Sequence, residues 1–357
     1  MSSADVGPAP DVTVVTVTYD AAELVLRCLD SLRAQELGGL RAEVVVVDNS
    51  SRDGTADLVA RERPDVVLVR SGTNLGFAGG NNVALRHVRS RFVVLLNNDA
   101  VAEPDAVRRL VEAMDAAPAD VAAMAATVLL ADRFRAAAPD DRDVVAGPDG
   151  RWVRDPEGDV RLVNSSGNEL RTDGYGQDRG WLADAARHAP PREVFGFSGA
   201  AAVLRTSALR EVGLFDERFF MYYEDTDLSW RLRLAGYRIE HCADVVVHHV
   251  HAASSTEGSP FFRFHDTRNR LATLTKNAGA PLALRVIGRE VLTTGSLAVR
   301  RRRWDLAGPR ARALVSWAAM LPHLLTERRR IGRTARTPRR VVERLLVPAT
   351  AGFGYRA

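Results

Sequence analysis

The chain has 357 residues, 46% of them hydrophobic and 26% charged, with a net charge of +4. That is enough apolar material for one large core or two domains, and it excludes a disordered or fibrous protein. Two cysteines, Cys28 and Cys242, exclude a disulfide framework and point to a reducing intracellular compartment.

The N-terminus, MSSADVGPAPD, has no basic stretch followed by an apolar one, so residues 1–11 read as a disordered leader and not as a secretory signal. From Val12 to Leu130, short β-branched runs alternate with helical patterns, the signature of a parallel sheet flanked by helices. Strands are expected at Val12–Thr18, Glu43–Val47, Val66–Val69, Phe92–Leu96 and Val121–Leu130. Helices are expected at Ala22–Gln35, Thr55–Glu62, Gly80–Val88 and Pro104–Ala117. Ligands of such sheets bind at the carboxyl ends of the strands.

The first strand ends in Thr18-Tyr19-Asp20 with no glycine-rich turn, which removes the dinucleotide fingerprint and with it hydride-transfer enzymes. The absence of GxxxxGK[ST] removes the P-loop NTPases. The second strand runs into Asp48-Asn49-Ser50-Ser51, which reads either as a nucleoside-binding edge or as an ordinary turn and helix cap. Asn74–Asn82, which contains Gly76 and Asn81, could bring backbone N–H groups close to a phosphate, although a tight loop before a helix wants the same residues. The fourth strand delivers Asn97-Asn98-Asp99 to the same edge. A carboxylate there needs a partner, either a turn or a divalent cation on a diphosphate. Because Asp48, Asn74 and Asp99 fall on one edge of one sheet, the ligand reading is favoured.

Between Ala131 and Gly158 the composition is that of a surface loop or linker. Order returns at Val160–Leu170, followed by a strand at Gly199–Arg205, a helix at Thr206–Val212 and a helix at Glu224–Ala235 closed by Gly236. The first turn of the last helix carries Glu224, Asp225 and Asp227, where the helix dipole alone favours acids. Strands at Arg238–His241 and Val245–Val250 lead to His248, His249 and His251. With no cysteine and no well-spaced fourth ligand these do not make a zinc site, and alternation puts His249 and His251 on one face.

Everything from Pro260 onward reads as helical. From Lys276 to the C-terminus 18 Lys/Arg stand against 4 Asp/Glu, a net +14 that leaves −10 for residues 1–275. Arg300–Arg303, Arg328–Arg330 and Arg339–Arg340, interleaved with Leu, Val and Trp, fit either an anionic membrane surface or a solvated helical face. Pro281–Val299 carries Arg285, Arg289 and Glu290, so no spanning helix is expected. No nucleic-acid-binding module accompanies the arginines, and no nucleic-acid partner is expected.

Val14–Asp20, Val44–Asp53, Asn74–Asn82 and Leu95–Asp99, with Phe197–Ala200, Gly213–Glu217 and Tyr223–Arg231, together resemble family 2 glycosyltransferases of the GT-A fold, rhamnosyltransferase-like members in particular. The resemblance covers about Val12 to His251. It implies an α/β, Rossmann-like, mostly parallel central sheet flanked by helices, with a basic helical C-terminal extension. Residues 12–130 would form the nucleotide-sugar half, 131–275 the acceptor and catalytic half, and 276–357 the basic region.

The resemblance assigns donor binding to Thr18, Asp20, Asp48, Asn74, Gly76, Asn81 and Asn97. Asp99 would hold Mg²⁺ or Mn²⁺ as the last position of a DxD-type motif, completed by a histidine, His249 being favoured. Asp225, with Glu224, would supply the general base; Asp227 would be a structural or acceptor-binding group, and Trp230 would contact the acceptor or pack and position its helix. Asn97 replaces the first DxD carboxylate and lowers the negative charge around the ion, and Asp20 stands where Asn is more usual. The implied reaction is an inverting, metal-dependent transfer from a nucleotide-diphospho sugar. The expected donor is dTDP-rhamnose, ahead of UDP-galactofuranose or another UDP-sugar. The expected acceptor is a hydroxyl of a cell-envelope glycan or polyprenyl-linked acceptor, met in the cytoplasm or at the inner face of the plasma membrane. A nucleotidyltransferase would need a basic phosphate signature that Thr13–Ala22 lacks, and an inactive sugar-binding scaffold would need losses among Asp48, Asp99 and Asp225, all of which are present.

Overall fold

A computed structural model of the chain describes residues 8–250 and 258–349. The first half alternates β1 (Val12–Thr18), α1 (Ala22–Arg33), β2 (Ala42–Asp48), α2 (Thr55–Glu62), β3 (Val67–Arg70), α3 (Gly76–Leu85), β4 (Phe92–Leu96), β5 (Ala100–Ala102), α4 (Ala106–Ala116) and β6 (Val121–Leu130). Three small hairpin strands follow, β7 (Phe134–Ala136), β8 (Val145–Gly147) and β9 (Gly150–Arg154), then β10 (Val163–Ser165), β11 (Asn168–Leu170) and β12 (Gly176–Asp178). The chain returns to the main sheet with β13 (Ala201–Arg205), α5 (Thr206–Val212), α6 (Glu224–Leu234) and β14 (Arg238–His249). It closes with α7 (Pro260–Asn277), α8 (Ala280–Val299), α9 (Trp304–Thr334) and the short α10 (Arg339–Val342).

The main sheet has the order β3-β2-β1-β4-β13-β6-β14-β5. β1, β2, β3 and β4 are parallel, as are β6 and β14, while β13 runs antiparallel between β4 and β6. Valine-rich β1, β2 and β4 bury alternate side chains on opposite faces, as a sheet covered on both sides must. Val12, Val14, Val46 and Val94 meet α1 and α4 through Val25, Leu29, Leu110 and Met114. Val15, Val45, Val93 and Leu95 meet α3, α5 and α6 through Ala78, Leu209, Leu228 and Leu232. A third core joins Trp230 and Leu234 of α6 to Leu271 and Leu274 of α7, Leu282 and Val286 of α8, and Leu324 and Ile331 of α9.

Several expectations are corrected. The expected linker after Ala131 contains the β7-β9-β8 sheet, because Trp152 and Phe134 bury themselves against Leu130 and Leu162 and give the polar segment a core of its own. Arg238–His249 is one strand and not two, with a register shift between Cys242 and Val246. α3 starts at Gly76, four residues before the expected Gly80. Val66 precedes β3, and β5 was not foreseen. The boundary expected at residue 276 falls in the last turn of α7. Residues 1–7 of the expected leader and His251 lie outside the described residues. Among the described residues no helix is long and apolar enough to cross a membrane.

Candidate active site

The strand ends set one edge of the site. β1 and β2 run in register from Val12↔Ala42 to Thr18↔Asp48, so both terminal residues reach the same edge. Thr18 is buried, and its Oγ1 accepts from Asn98 Nδ2 at 3.1 Å. Asp48 Oδ2 accepts from Ser51 N at 3.2 Å, whereas Oδ1 is buried with no hydrogen-bond partner, an orphan acceptor that a donor group on a ligand would satisfy. Asp20 is exposed with φ 46°, and its Oδ1 accepts from Arg52 N at 2.6 Å, bracing the turn after β2.

Behind this edge, Asn49 ties the glycine-rich loop down. Its Nδ2 donates to Asn74 Oδ1 (3.1 Å) and Gly76 O (2.9 Å), and its Oδ1 accepts from Leu75 N (3.0 Å). Asn74 Oδ1 also accepts from Gly76 N at 2.9 Å, so Asn74 and Gly76 form a turn. Gly76 has φ 68°, and a Cβ there would stand 2.3 Å from the Phe220 carbonyl oxygen, which itself accepts from Ala78 N at 3.1 Å. Glycine is needed at this point for the approach of another loop, not for an open phosphate cradle. Asn81 is buried with its Nδ2 on Phe77 O at 2.9 Å.

The cavity, ≈ 310 Å³, lies beside this edge and is lined by Asn97, Asp99, Asn164, Asn168, Glu224, Asp225, His249 and Asp266, among others. β14 and β5 pair His249 with Ala100, placing the histidine beside Asp99. His249 Nδ1 lies 2.6 Å from Asn164 Oδ1, an oxygen that only accepts, so Nδ1 carries the hydrogen. Nε2 faces Asp99 Oδ1 at 3.0 Å. A ring nitrogen and a carboxylate oxygen at this separation could share one divalent cation. Ligands about 2.1 Å from one Mg²⁺ and about a right angle apart are separated by about 3.0 Å, so the pair fits such an ion. Asn164 would then orient the histidine. Asn97 Nδ2 stands 3.4 Å from the same Nε2. No group of three or more His, Cys, Asp or Glu side chains able to hold a metal is found among the described residues.

Opposite, the loop before α6 is strained. Phe220, Tyr222 and Tyr223 have φ of 65°, 70° and 68°, values that cost a bulky side chain on the order of 1 kcal/mol each. Asn269 of α7 holds the loop there, with Nδ2 2.9, 2.8 and 2.8 Å from the carbonyls of Phe219, Met221 and Tyr222. The loop delivers Glu224 and Asp225 at the start of α6. Asp225 Oδ2 accepts from Asn168 Nδ2 (2.8 Å) and Gly199 N (3.1 Å), and Oδ1 from Thr226 N (2.6 Å). Burial outweighs these hydrogen bonds and raises the Asp225 pKa above the usual aspartate range. Burial, with the Asp225 charge beside it, pushes Glu224 well above its ordinary value, and Glu224 Oε2 has no hydrogen-bond partner.

Asp227 and Trp230, expected to touch the acceptor, do not line the cavity. Asp227 is fully buried, with Oδ2 on Lys276 Nζ (3.0 Å) and Arg231 Nε (2.9 Å) and Oδ1 on Asn277 Nδ2 (2.7 Å). Trp230 is fully buried edge-on against Phe195 at 5.6 Å. A helix starting with three acids turns one of them, two residues after Asp225, to the opposite side, and α7 is packed there. His248 points away and bonds Glu103 Oε1 at 2.8 Å. Thr18, Asp20, Asp48, Asn74, Gly76 and Asn81 lie outside the cavity lining, whereas Asn97, Asp99, Glu224, Asp225 and His249 share it. Asn164, Asn168, Tyr222, Phe262 and Asp266 line it too and were not anticipated. The asparagines of Val163-Asn164-Ser165-Ser166-Gly167-Asn168 were the one available signal.

A mostly parallel sheet that gathers carboxylates and amides at its carboxyl edge, closed by an antiparallel strand and a second acidic helix, defines a GT-A glycosyltransferase that uses a nucleotide sugar. The chain belongs to glycosyltransferase family 2: that family's model, "Glycosyl transferase family 2", matches residues 13–213, and "Glycosyl transferase family group 2" matches residues 178–327. It is 30% identical over 269 residues, 69% of this chain and 78% of the relative, to the N-acetylglucosaminyl-diphospho-decaprenol L-rhamnosyltransferase of Mycobacterium tuberculosis (strain ATCC 25618 / H37Rv). It is 38% identical over 123 residues to the succinoglycan biosynthesis protein ExoO of Rhizobium meliloti (strain 1021), a match that spans 34% of this chain and only 35% of that relative's length. Among solved structures, that of GalNAc-T7 with UDP, GalNAc and Mn²⁺ superposes with a TM-score of 0.55 at 12% identity, covering 76% of this chain and 48% of the other, a likeness of fold.

Proposed function

We propose that the enzyme transfers rhamnose from dTDP-rhamnose, with inversion, to a hydroxyl of a polyprenyl-linked or other cell-envelope glycan. The observation that carries this reading is that Asp225 and the Asp99–His249 pair line one cavity. The donor and acceptor classes take their support from the mycobacterial rhamnosyltransferase.

Asp225 is the general base: it accepts the proton of the acceptor hydroxyl as the new glycosidic bond forms, and its raised pKa makes it a better proton acceptor than an ordinary aspartate. Asn168, Gly199 and Thr226 fix its orientation. Glu224, whose pKa burial pushes well above its ordinary value and whose Oε2 has no partner in the protein, stands where it would meet a polar group of the ligand. Thr18 and Asp48 hold the nucleoside at the sheet edge, with Asp20 and Asn74 shaping the turns around it. Mg²⁺ or Mn²⁺, bound by Asp99 and His249 together with donor phosphates, would supply a Lewis acid for the charge that develops on the leaving diphosphate. Tyr222, Phe262 and Asp266 form the acceptor side, two rings 5.1 Å apart and a carboxylate suited to a sugar face and its hydroxyls.

A thermal-shift panel of dTDP-rhamnose, dTDP-glucose, UDP-galactofuranose, UDP-GlcNAc and GDP-mannose, with and without Mn²⁺, tests the reading, because a ligand of the native state raises its stability. A metal-dependent rise with dTDP-rhamnose is expected. A rise with a UDP-sugar alone would overturn the donor, and no rise with any of them in folded protein would overturn the transfer itself.

A further inference from the structure

α8 buries Val286, Glu290, Thr294 and Leu297. At 3.6 residues per turn, Leu284, Gly288, Val291, Leu292, Gly295 and Val299 fall in a stripe on the opposite face. The four large side chains in it are 69%, 50%, 75% and 77% exposed. Arg285, Arg289 and Arg300 run along one flank of the stripe, and Arg301, Arg302, Arg303 and Trp304, itself 65% exposed, continue from its end. The helix has one acid, Glu290, and that carboxylate is buried between Arg270 Nη2 (2.6 Å) and Arg310 Nη1 (2.7 Å). The outward face of α8 therefore presents hydrocarbon and positive charge with no negative charge.

Single exposed leucines and valines are ordinary, but a contiguous stripe edged by cations is not. A second copy packed antiparallel on the same stripe would set the arginine rows close to one another. An anionic bilayer does the reverse: apolar side chains reach the acyl boundary, guanidinium groups meet lipid phosphates, and an indole settles at the interface. We propose that α8 seats this enzyme on an anionic phospholipid surface. The N-terminal turn of the helix is joined to the cavity, since Arg285 Nη2 donates to Thr172 O at 3.3 Å in the loop between β11 and β12. Asn168 of β11 and Gly176–Asp178 of β12 line the cavity wall. The bilayer-facing side and the acceptor side thus share one hairpin, and a glycan carried on a lipid would reach the cavity from the surface on which the enzyme rests.

The test is co-sedimentation of the full chain with phosphatidylcholine vesicles, with or without phosphatidylglycerol, using wild type, a Leu284→Ser/Leu292→Ser/Val299→Ser variant and an Arg285→Gln/Arg289→Gln variant. All five side chains are exposed, so the fold is retained, which the melting curve of each variant checks. Expected are binding to the anionic vesicles alone, release by salt, a loss of about fivefold per arginine removed, and a loss of roughly tenfold or more for the apolar variant. Equal binding to neutral vesicles, no binding, or wild-type binding by the apolar variant would overturn the proposal. Concentration-dependent self-association that the apolar variant abolishes would assign the face to a second copy and overturn it as well. The nucleotide-sugar thermal shift, run on the same proteins, is expected to be unchanged, so this proposal and the transfer reading fail separately.

Discussion

Asp225 and Asp227 stand two residues apart on one helix, and their surroundings drive them in opposite directions. Burial raises Asp225. Burial also pushes Asp227 up, but Lys276 and Arg231 more than offset it and leave its pKa below the usual range. Asp225→Asn removes a charge that folding disfavours, so at neutral pH the melting temperature is expected to stay or rise while kcat falls by about 10²–10⁴, the usual contribution of a positioned base. Asp227→Asn removes the shared counterion of Lys276 and Arg231, both themselves buried. Breaking a buried ion pair from one side costs about 3–5 kcal/mol, which in a chain of this size lowers the melting temperature by about 5 °C. Turnover per folded molecule is expected to change little. The assay is a melting curve beside single-turnover transfer measured well below the melting point. Near-normal turnover in Asp225→Asn, or a large loss of turnover without loss of stability in Asp227→Asn, would refute the division of roles.

Asp99→Ala and His249→Ala are each expected to abolish the Mn²⁺-dependent part of the donor thermal shift, while Asn164→Ala, which frees the histidine ring, weakens apparent metal affinity about 10–100-fold; titration of the shift with Mn²⁺ reads both. Gly76→Ala is expected to cost more than about 2 kcal/mol, because an alanine must hold a left-handed φ and displace the Phe220 carbonyl; chemical denaturation measures it. Burial, helped by Arg179 beside His241 and Arg268 beside His265, holds both imidazoles down to about 4. The unfolded chain protonates them near the ordinary histidine value, so stability is expected to be full above about pH 6.5 and to fall as pH drops toward 4. It falls further in stronger acid, where Asp216 and Asp227 lose their pairing with Lys276. Denaturation curves across that range give the sign directly. The acid limb of kcat is expected above the ordinary aspartate pKa, following Asp225.

Much of the sheet edge was legible because its signal is local. An apolar β-branched run that ends abruptly before Asp48 or Asn97 marks a strand end without any knowledge of the rest of the fold. The roles of Asn74, Gly76 and Asn81 were less legible, because a loop that shapes a site and a loop that touches a ligand use the same residues. In both the amide and the glycine answer a backbone need, and here that need is Asn49 on one side and Phe220 on the other. Residue type alone did not separate Asp225 from Asp227, since the helix dipole favours both; the resemblance gave them different roles, and the packing of α7 is what buries Asp227. Asn168, Asn269 and Asp266 act across 57, 50 and more residues of chain or face a cavity assembled from distant segments, and no periodicity announces that. The β7-β9-β8 sheet was missed because its core is two aromatic side chains set in an otherwise polar segment.

The placement of Lys276, Asn277 and Asn269 on α7 bears on how this enzyme can be divided or recombined. Composition suggests a cut where the basic stretch begins, yet a graft joined at residue 276 would trade away the cation and the amide that pair with Asp227 beneath α6. A hybrid that borrows the C-terminal region of a relative to change its acceptor has to take its seam beyond Asn277, keeping α7 with the sheet it supports. The sheet, α6 and α7 thus pass on as one unit, and any exchanged α8 or α9 has to restore the core it shares with α6 and α7.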